Sequence, residues 1–205
     1  MRRASSGSRP TSATFGCRTL PAGWEDAWRS FHRGVHVGRL WVGPPWEAPP
    51  EDALAVVIDP GRAFGTGAHA STRLCLEFLQ VLPPGSALDA GCGSGVLAIA
   101  AAKLGFAPVV ALDNDPAAVE STAANARLNG VAIEVRLADA LTDPLPETDV
   151  AVANIAAEAF AWLPLRSTLA VTSGYLERDE IAMPAYERLE RRLLEGWAAD
   201  LFRRH

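Results

Sequence analysis

The segment Asp89-Ala90-Gly91-Cys92-Gly93-Ser94-Gly95 sets three alternating glycines behind an acidic residue. Glycine lets the backbone turn tightly and lets a ligand approach where a Cβ would clash. The run 96–104 that follows is apolar nearly all round and reads as a buried helix, whose first N–H groups lack intrahelical partners. Asp113 stands 18 residues after Gly95, at the end of the next apolar run, where a carboxylate can accept hydrogen bonds from both ribose hydroxyls. Loop and acid together read as a site for a nucleoside-containing cofactor. A loop used only for a tight turn would leave Asp113 unexplained.

The details of the loop favour one cofactor. A dinucleotide loop follows G-x-G-x-x-G, but here Val96 holds the position of the last glycine and Gly95 comes one residue early. Asp89 also places a negative charge beside the loop, which a pyrophosphate would disfavour. A cationic sulfonium with an α-amino group tolerates that charge. S-adenosyl-L-methionine is therefore expected rather than NAD, and methyl transfer rather than hydride transfer. A methyltransferase for a different amine substrate, a nicotinamide-dependent oxidoreductase and an inert cofactor-binding module are the alternatives.

Two further segments carry chemistry. Residues 59–72 form a second glycine-rich stretch, with Phe64 and His69 in it, and run into a helix near Ser71 and Thr72. Helix N-termini favour anions, and the cofactor's carboxylate suits this one; a plain capping loop is the other reading. Asn154 closes the apolar run 150–153, and its amide can hold an amine substrate, although an asparagine there also serves as a turn residue. The residues expected to contact cofactor are Phe64, Thr72, Asp89, Gly91, Gly93, Asp113, Asp139 and Asn154, with Asn154 also acting on the acceptor. Asp139 suits the adenine amino group or is a plain loop acid. Glu158 reads as a solvated helix acid, and Cys92 as a small residue. His69 is a neighbour of the site. His32 and His36 are separated by Gly34 in a strand-like zone, so no metal site is expected.

These residues need a frame. Leu74, Cys75, Phe78, Leu79 and Leu82 make one helical stripe, stopped by Pro83-Pro84. Apolar runs at 86–89, 108–112, 133–137, 150–153 and 169–172 read as strands. Between two of them, Asp115, Pro116 and Gly130 punctuate a helix with a cap, a first-turn proline and a stop. The alternation predicts an α/β fold with a doubly wound, mostly parallel, Rossmann-like sheet. The tail departs from that rhythm: residues 186–195 and 197–203 flank Gly196 and predict a closing antiparallel hairpin.

Three zones follow. Residues 1–23, with four arginines and no acid, are expected to be a disordered or mis-started terminus rather than a transit peptide, since no amphipathic helix is apparent. Residues 24–52 are rich in Trp and Pro; Trp24, Trp28 and Phe31 follow helical spacing, and Val35, Val37 and Trp41 suggest one short strand. This zone is linker-like and should pack on residues 53–205, the catalytic domain. The 205 residues are 49% hydrophobic and 21% charged, ordinary for a soluble domain. A net charge of −5 argues against a nucleic-acid partner. No run is long and apolar enough for a membrane span. Cys17, Cys75 and Cys92 form no C-x-x-C pair, which fits a reduced, cytoplasmic setting. No feature speaks to oligomeric state.

The order of Phe64-Gly65-Thr66-Gly67-x-His69, the glycine loop with Asp89, the acid Asp113 and Ala153-Asn154-Ile155 resembles the bacterial methyltransferases of large-subunit ribosomal protein eleven. The glycine loop is common to many methyltransferases; the first and last segments together are more specific. The similarity runs from about Trp24 onward, and the tryptophan zone resembles the family's interdomain linker. The resemblance implies a class I methyltransferase fold, cofactor contacts on Thr72, Gly91, Asp113 and Asn154, and methylation of protein amino groups at the N-terminus and on lysine. It implies a protein substrate, a large-subunit ribosomal protein, and no metal. Two features depart from the family: most of its N-terminal substrate-recognition domain has no counterpart, and the stretch between Leu176 and Tyr186 is short.

Overall fold

The computed structural model describes residues 32–60 and 67–205. The expectations for residues 1–23, for Trp24, Trp28 and Phe31, and for Phe64 lie outside the described residues. The apolar runs become β4 (Ala87–Ala90), β5 (Val109–Asp113), β6 (Glu134–Leu137), β7 (Val150–Asn154) and β8 (Leu169–Leu176), all parallel to one another. The tail adds β9 (Tyr186–Leu194) and β10 (Trp197–Arg204), both antiparallel. The sheet order is β6-β5-β4-β7-β8-β10-β9. The chain builds outward from β4 to β6, then returns to the other side of β4 with β7. The crevice between the carboxyl ends of β4 and β7 is therefore the switch point, where open α/β sheets bind ligands.

Side-chain alternation along each strand feeds two cores. Ala87, Val109, Ala111, Val150, Val152 and Val171 face one side. There they meet α1 (Ala70–Leu79) and α2 (Val96–Lys103). In α1 the predicted stripe is buried at Leu74, Cys75, Phe78 and Leu79, and α2 is buried from Val96 to Ala101. The third helix, α3 (Pro116–Leu128), lies beside α2 and contributes Ala126. Leu88, Ala90, Leu112, Ala151 and Ala153 face the other core. That side is also covered, as a doubly wound sheet requires, but the cover differs from the helices that alternation suggests. Phe160, Leu163 and Leu165, which follow a 3₁₀ turn (Ala157–Ala159), and Met183 do the work.

The connection between β8 and β9 is irregular, as its shortness implies. Arg191 holds it, donating to the carbonyls of Asp179 at 3.0 Å and Glu177 at 3.4 Å. The same guanidinium forms a two-bond pair with the fully buried Asp200, at 2.8 Å on each carboxylate oxygen. The register of β8 against β10 slips opposite Ala198 and Ala199. This slip falls at Gly174 and turns Tyr175 toward the face of Asp200, whose carboxylate accepts from the Tyr175 hydroxyl at 2.9 Å.

The hairpin forms where Gly196 predicts it. Glu195 and Gly196 both have positive φ (52° and 80°), the geometry of a two-residue turn that matches strand twist. The stop and start signals of α3 also hold. Asp115 accepts from the Ala117 N–H at 2.9 Å, and Gly130 adopts φ 64°. Asp115→Ala should cost about 1 kcal/mol of stability, as loss of an N-cap does. Urea denaturation would show it as a lowered midpoint; an unchanged midpoint would mean the cap carries no energy.

Ahead of the main sheet, the expected single strand is two. β1 (Val35–Val37) and β2 (Leu40–Gly43) form a hairpin, and β3 (Leu54–Val57) pairs parallel to β2. The break comes at Gly38, with φ 57°, and Gln80 of the α1 C-terminus bonds both sides of the turn, accepting from Arg39 N–H and donating to the Val37 carbonyl. Val37, Leu40, Val42, Val56 and Ile58 pack into the helix-side core.

Candidate active site

Ala90, Asp113 and Asn154 end three neighbouring strands on one edge of the sheet. The loop after β4 must fold back at once to start α2, and Gly91, Gly93 and Gly95 all take positive φ. At Gly91 the reason is steric as well: a Cβ would meet the Ile155 side chain at 2.7 Å. Gly174 plays the same part on the far side, since a Cβ there would meet the Ile155 carbonyl at 2.2 Å. Two glycines thus seat the segment after Asn154 between β4 and β8.

The loop, the strand ends and the 3₁₀ turn enclose a cavity of about 410 Å³. Of the sequence-predicted residues, Thr72, Gly91, Gly93, Asp113, Asp139 and Asn154 line it. Val96, Leu112 and Leu141 supply apolar wall. Asp113 is fixed on both oxygens: it accepts from Gly93 N–H at 2.9 Å and Asp115 N–H at 3.0 Å. Each oxygen keeps a second lone pair for a diol. Asp139 accepts from Leu141 N–H at 2.9 Å through one oxygen. Asn154 donates to the Thr72 hydroxyl at 3.1 Å, which joins the start of α1 to the end of β7 and leaves the amide oxygen for another donor.

Three residues stand apart from the cavity wall. Asp89 shares the strand parity of Ala87, so its side chain turns under α2 and is 1% exposed. It accepts from Ala98 N–H at 2.9 Å, capping α2 in place of the side-chain-less Gly95; its other oxygen has no partner. His69 is exposed, caps α1, and sets its ring edge-to-face on Trp197 with centroids 4.4 Å apart. Glu158 is exposed on the 3₁₀ turn. Cys92 lines the cavity beneath Thr122, and burial pushes its thiol up to about 12, so it stays protonated. No cluster of residues able to hold a metal occurs among the described residues.

Burial pushes the Asp89 carboxyl up to about 7, outweighing the Ala98 hydrogen bond that lowers it. An acid with a raised folded-state pKa stabilises most below its unfolded value of about 4. That contribution is lost as pH rises toward 7. Asp89→Asn keeps the acceptor for Ala98 and cannot ionise. Its stability relative to the parent protein should therefore increase steadily from pH 4 to pH 7, followed by thermal melts at each pH. A pH-independent difference would show that Asp89 does not titrate in this window.

A polar stripe on α3 has no counterpart in the sequence reading. Thr122, Asn125 and Asn129 are spaced on one helix face. Thr122 and Asn125 are buried, at 0% and 2% exposure. Thr122 donates to the Gly93 carbonyl at 3.0 Å and Asn125 to that of Ser94 at 2.9 Å. Their spacing is a visible signal, but their partners are remote in sequence.

The ribosomal protein L11 methyltransferase (PrmA) family model matches residues 12–182. The chain belongs to that family. The match to the PrmA family begins before the tryptophan zone and stops in the short connection after β8. Relatives named ribosomal protein L11 methyltransferase include one from Symbiobacterium thermophilum, 52% identical over 65% of this chain and 46% of its own length. One from Aliivibrio salmonicida is 45% identical over 75% of this chain and 52% of its own. One from Escherichia coli O8 is 41% identical over 86% and 62%. The chain thus spans about half the length of the curated relatives it matches. A solved ribosomal protein L11 methylase from Lactobacillus delbrueckii subsp. bulgaricus superposes with a TM-score of 0.72 at 27% identity, over 84% of this chain and all of that one. A putative RNA methyltransferase from Pyrococcus horikoshii shares the fold alone, with a TM-score of 0.56 at 16% identity over 70% of this chain and 87% of its own. Among the described residues no helix is long and apolar enough to cross a membrane.

Proposed function

We propose that this chain is an S-adenosyl-L-methionine-dependent protein N-methyltransferase whose acceptor is ribosomal protein L11, methylated on lysine or N-terminal amines. The observation that carries this reading is the cavity at the switch point, with the glycine loop and Asp113 on one side and Asn154 on the other. Family membership and the names of the relatives support the acceptor. Cytoplasmic location belongs to the same reading, in keeping with the free buried thiols of Cys75 and Cys92.

The residues fit the cofactor. Asp113 offers a fixed pair of oxygens to a ribose, Asp139 keeps an oxygen free toward an adenine amine, and apolar wall flanks a heterocycle. Thr72, in the first turn of α1, lies where N–H groups favour a carboxylate. Asp89 adds negative charge behind the loop when ionised. When bound, the cofactor supplies an activated methyl on a cationic sulfur.

The protein's part is alignment and desolvation. The acceptor amine must reach the cavity neutral. At pH 7 that costs roughly 4.6 kcal/mol for lysine and about 1.4 for an α-amine. Asn154 has no basic group, so it acts on the neutral amine: its oxygen accepts an amine N–H and aims the lone pair. The Thr72 bond keeps the amide from rotating away. Transfer of labelled methyl from S-adenosylmethionine to purified L11 tests the reading. Incorporation on amino groups is expected. Tight cofactor binding without incorporation would move the acceptor to another amine, or make the chain an inert cofactor-binding module.

A further inference from the structure

β3 is the outer strand of the three-stranded sheet, and among the described residues no strand pairs with its far edge. Its even-numbered residues bond toward β2, as Ile58 N–H does to the Gly43 carbonyl. Val57 and Asp59 therefore point their backbone groups the other way, toward α3. There two side-chain amides take the place of a strand. Asn129 accepts from Val57 N–H at 2.9 Å and donates to the Val57 carbonyl at 2.6 Å. Asn125 accepts from Asp59 N–H at 3.0 Å and reaches the Asp59 carbonyl at 3.5 Å. The geometry matches because four helix residues rise about 6.0 Å. Two strand residues advance about 6.6 Å.

The same helix face holds the glycine loop. Asn125 gives its other N–H to the Ser94 carbonyl, and Thr122, one turn earlier, bonds the Gly93 carbonyl. Gly93 is thus held at its carbonyl by Thr122 and at its N–H by Asp113. Asn125 thus bonds both the loop, at Ser94, and the chain just after β3, at Asp59. Asn129 steadies it by donating to the Asn125 carbonyl at 2.8 Å.

We infer that Asn125 is a positioning residue that couples the placement of β3 to the cofactor loop, with Asn129 as its support on the strand side. The inference rests on the cofactor reading above. Displacing β3 would, through Asn125, shift the carbonyls of the loop and with them the amide of Gly93 that Asp113 receives. Asn125→Asp is the sharp test. It keeps an acceptor for Asp59 N–H but replaces the donor to Ser94 with an oxygen facing an oxygen. The KM for S-adenosylmethionine should rise about fivefold with kcat within twofold, measured on the full chain below its melting temperature. Asn129→Asp should lower the melting temperature with a smaller rise in KM, because its bonds go to β3 and not to the loop. Thr122→Val, which changes shape little, gives an independent reading: amide hydrogen exchange at Gly93 and Gly95 should speed up at least threefold. Unchanged KM in Asn125→Asp, or equal KM effects at Asn125 and Asn129, would overturn the inference. If Asn125→Asp does not fold, Asn125→Ser, which removes both bonds without adding charge, is read the same way, and unchanged exchange at Gly93 in it would overturn the inference. Failure of the parent protein to bind S-adenosylmethionine would instead sink the cofactor reading, a different outcome from bound cofactor with indifferent variants.

Discussion

Asn154→Ala is expected to lower kcat for methyl transfer about a hundredfold while changing the S-adenosylmethionine Kd by less than fivefold. The side chain ends β7 opposite the glycine loop, with its N–H group engaged by Thr72 at 3.1 Å. In the proposed mechanism its oxygen accepts from the incoming amine and orients it. Alanine removes that oxygen and leaves the cavity's glycine loop and Asp113 in place. A misplacement of about 1 Å in an in-line displacement costs about two orders of magnitude, which sets the scale. Single-turnover transfer from labelled cofactor separates this step from product release. Full activity in the alanine variant would show that the amine is oriented by something else.

Asp113→Ala should weaken cofactor binding at least tenfold. Asp113 does two things at once. It organises the loop by accepting from Gly93 and Asp115, and in the proposed complex its remaining lone pairs would take the ribose. A hydrogen bond to a charged group contributes about 1.5–3 kcal/mol, so losing one such bond already gives a tenfold loss. Asp113→Asn is no conservative change here. Both oxygens face backbone N–H groups, so an NH₂ at either position sets donor against donor. Calorimetry on both variants would show it; parent-like affinity in either would mean the ribose lies elsewhere.

The site was legible to the extent that its residues act through local geometry. The glycine loop, the cap at Asp115 and the two-residue turn at Gly196 each depend on neighbours in the chain, and each stands where the sequence places it. Asp113, Asp139 and Asn154 line one cavity because parallel strand ends, and the loops leaving them, converge on one edge. Asp89 shows the limit of that reasoning. Proximity to the loop in sequence suggested a place beside the cofactor, but strand alternation turns the side chain under α2, where it caps a helix. The stripe of Thr122, Asn125 and Asn129 needed the fold, because its partners lie at Val57, Asp59 and the loop. Likewise, the second face of the sheet reads as helix from alternation alone. The residues that cover it, Phe160, Leu163 and Leu165, are apolar enough for the core without helical spacing.

The proposed cofactor reading rests on a cavity lined by the glycine loop, the strand ends and the 3₁₀ turn. Calorimetric titration of the full chain with S-adenosylmethionine and, separately, with NAD tests the assignment most directly. Saturable binding of S-adenosylmethionine with no heat from NAD is the predicted result. Binding of NAD alone would contradict it and return the glycine loop to hydride-transfer chemistry.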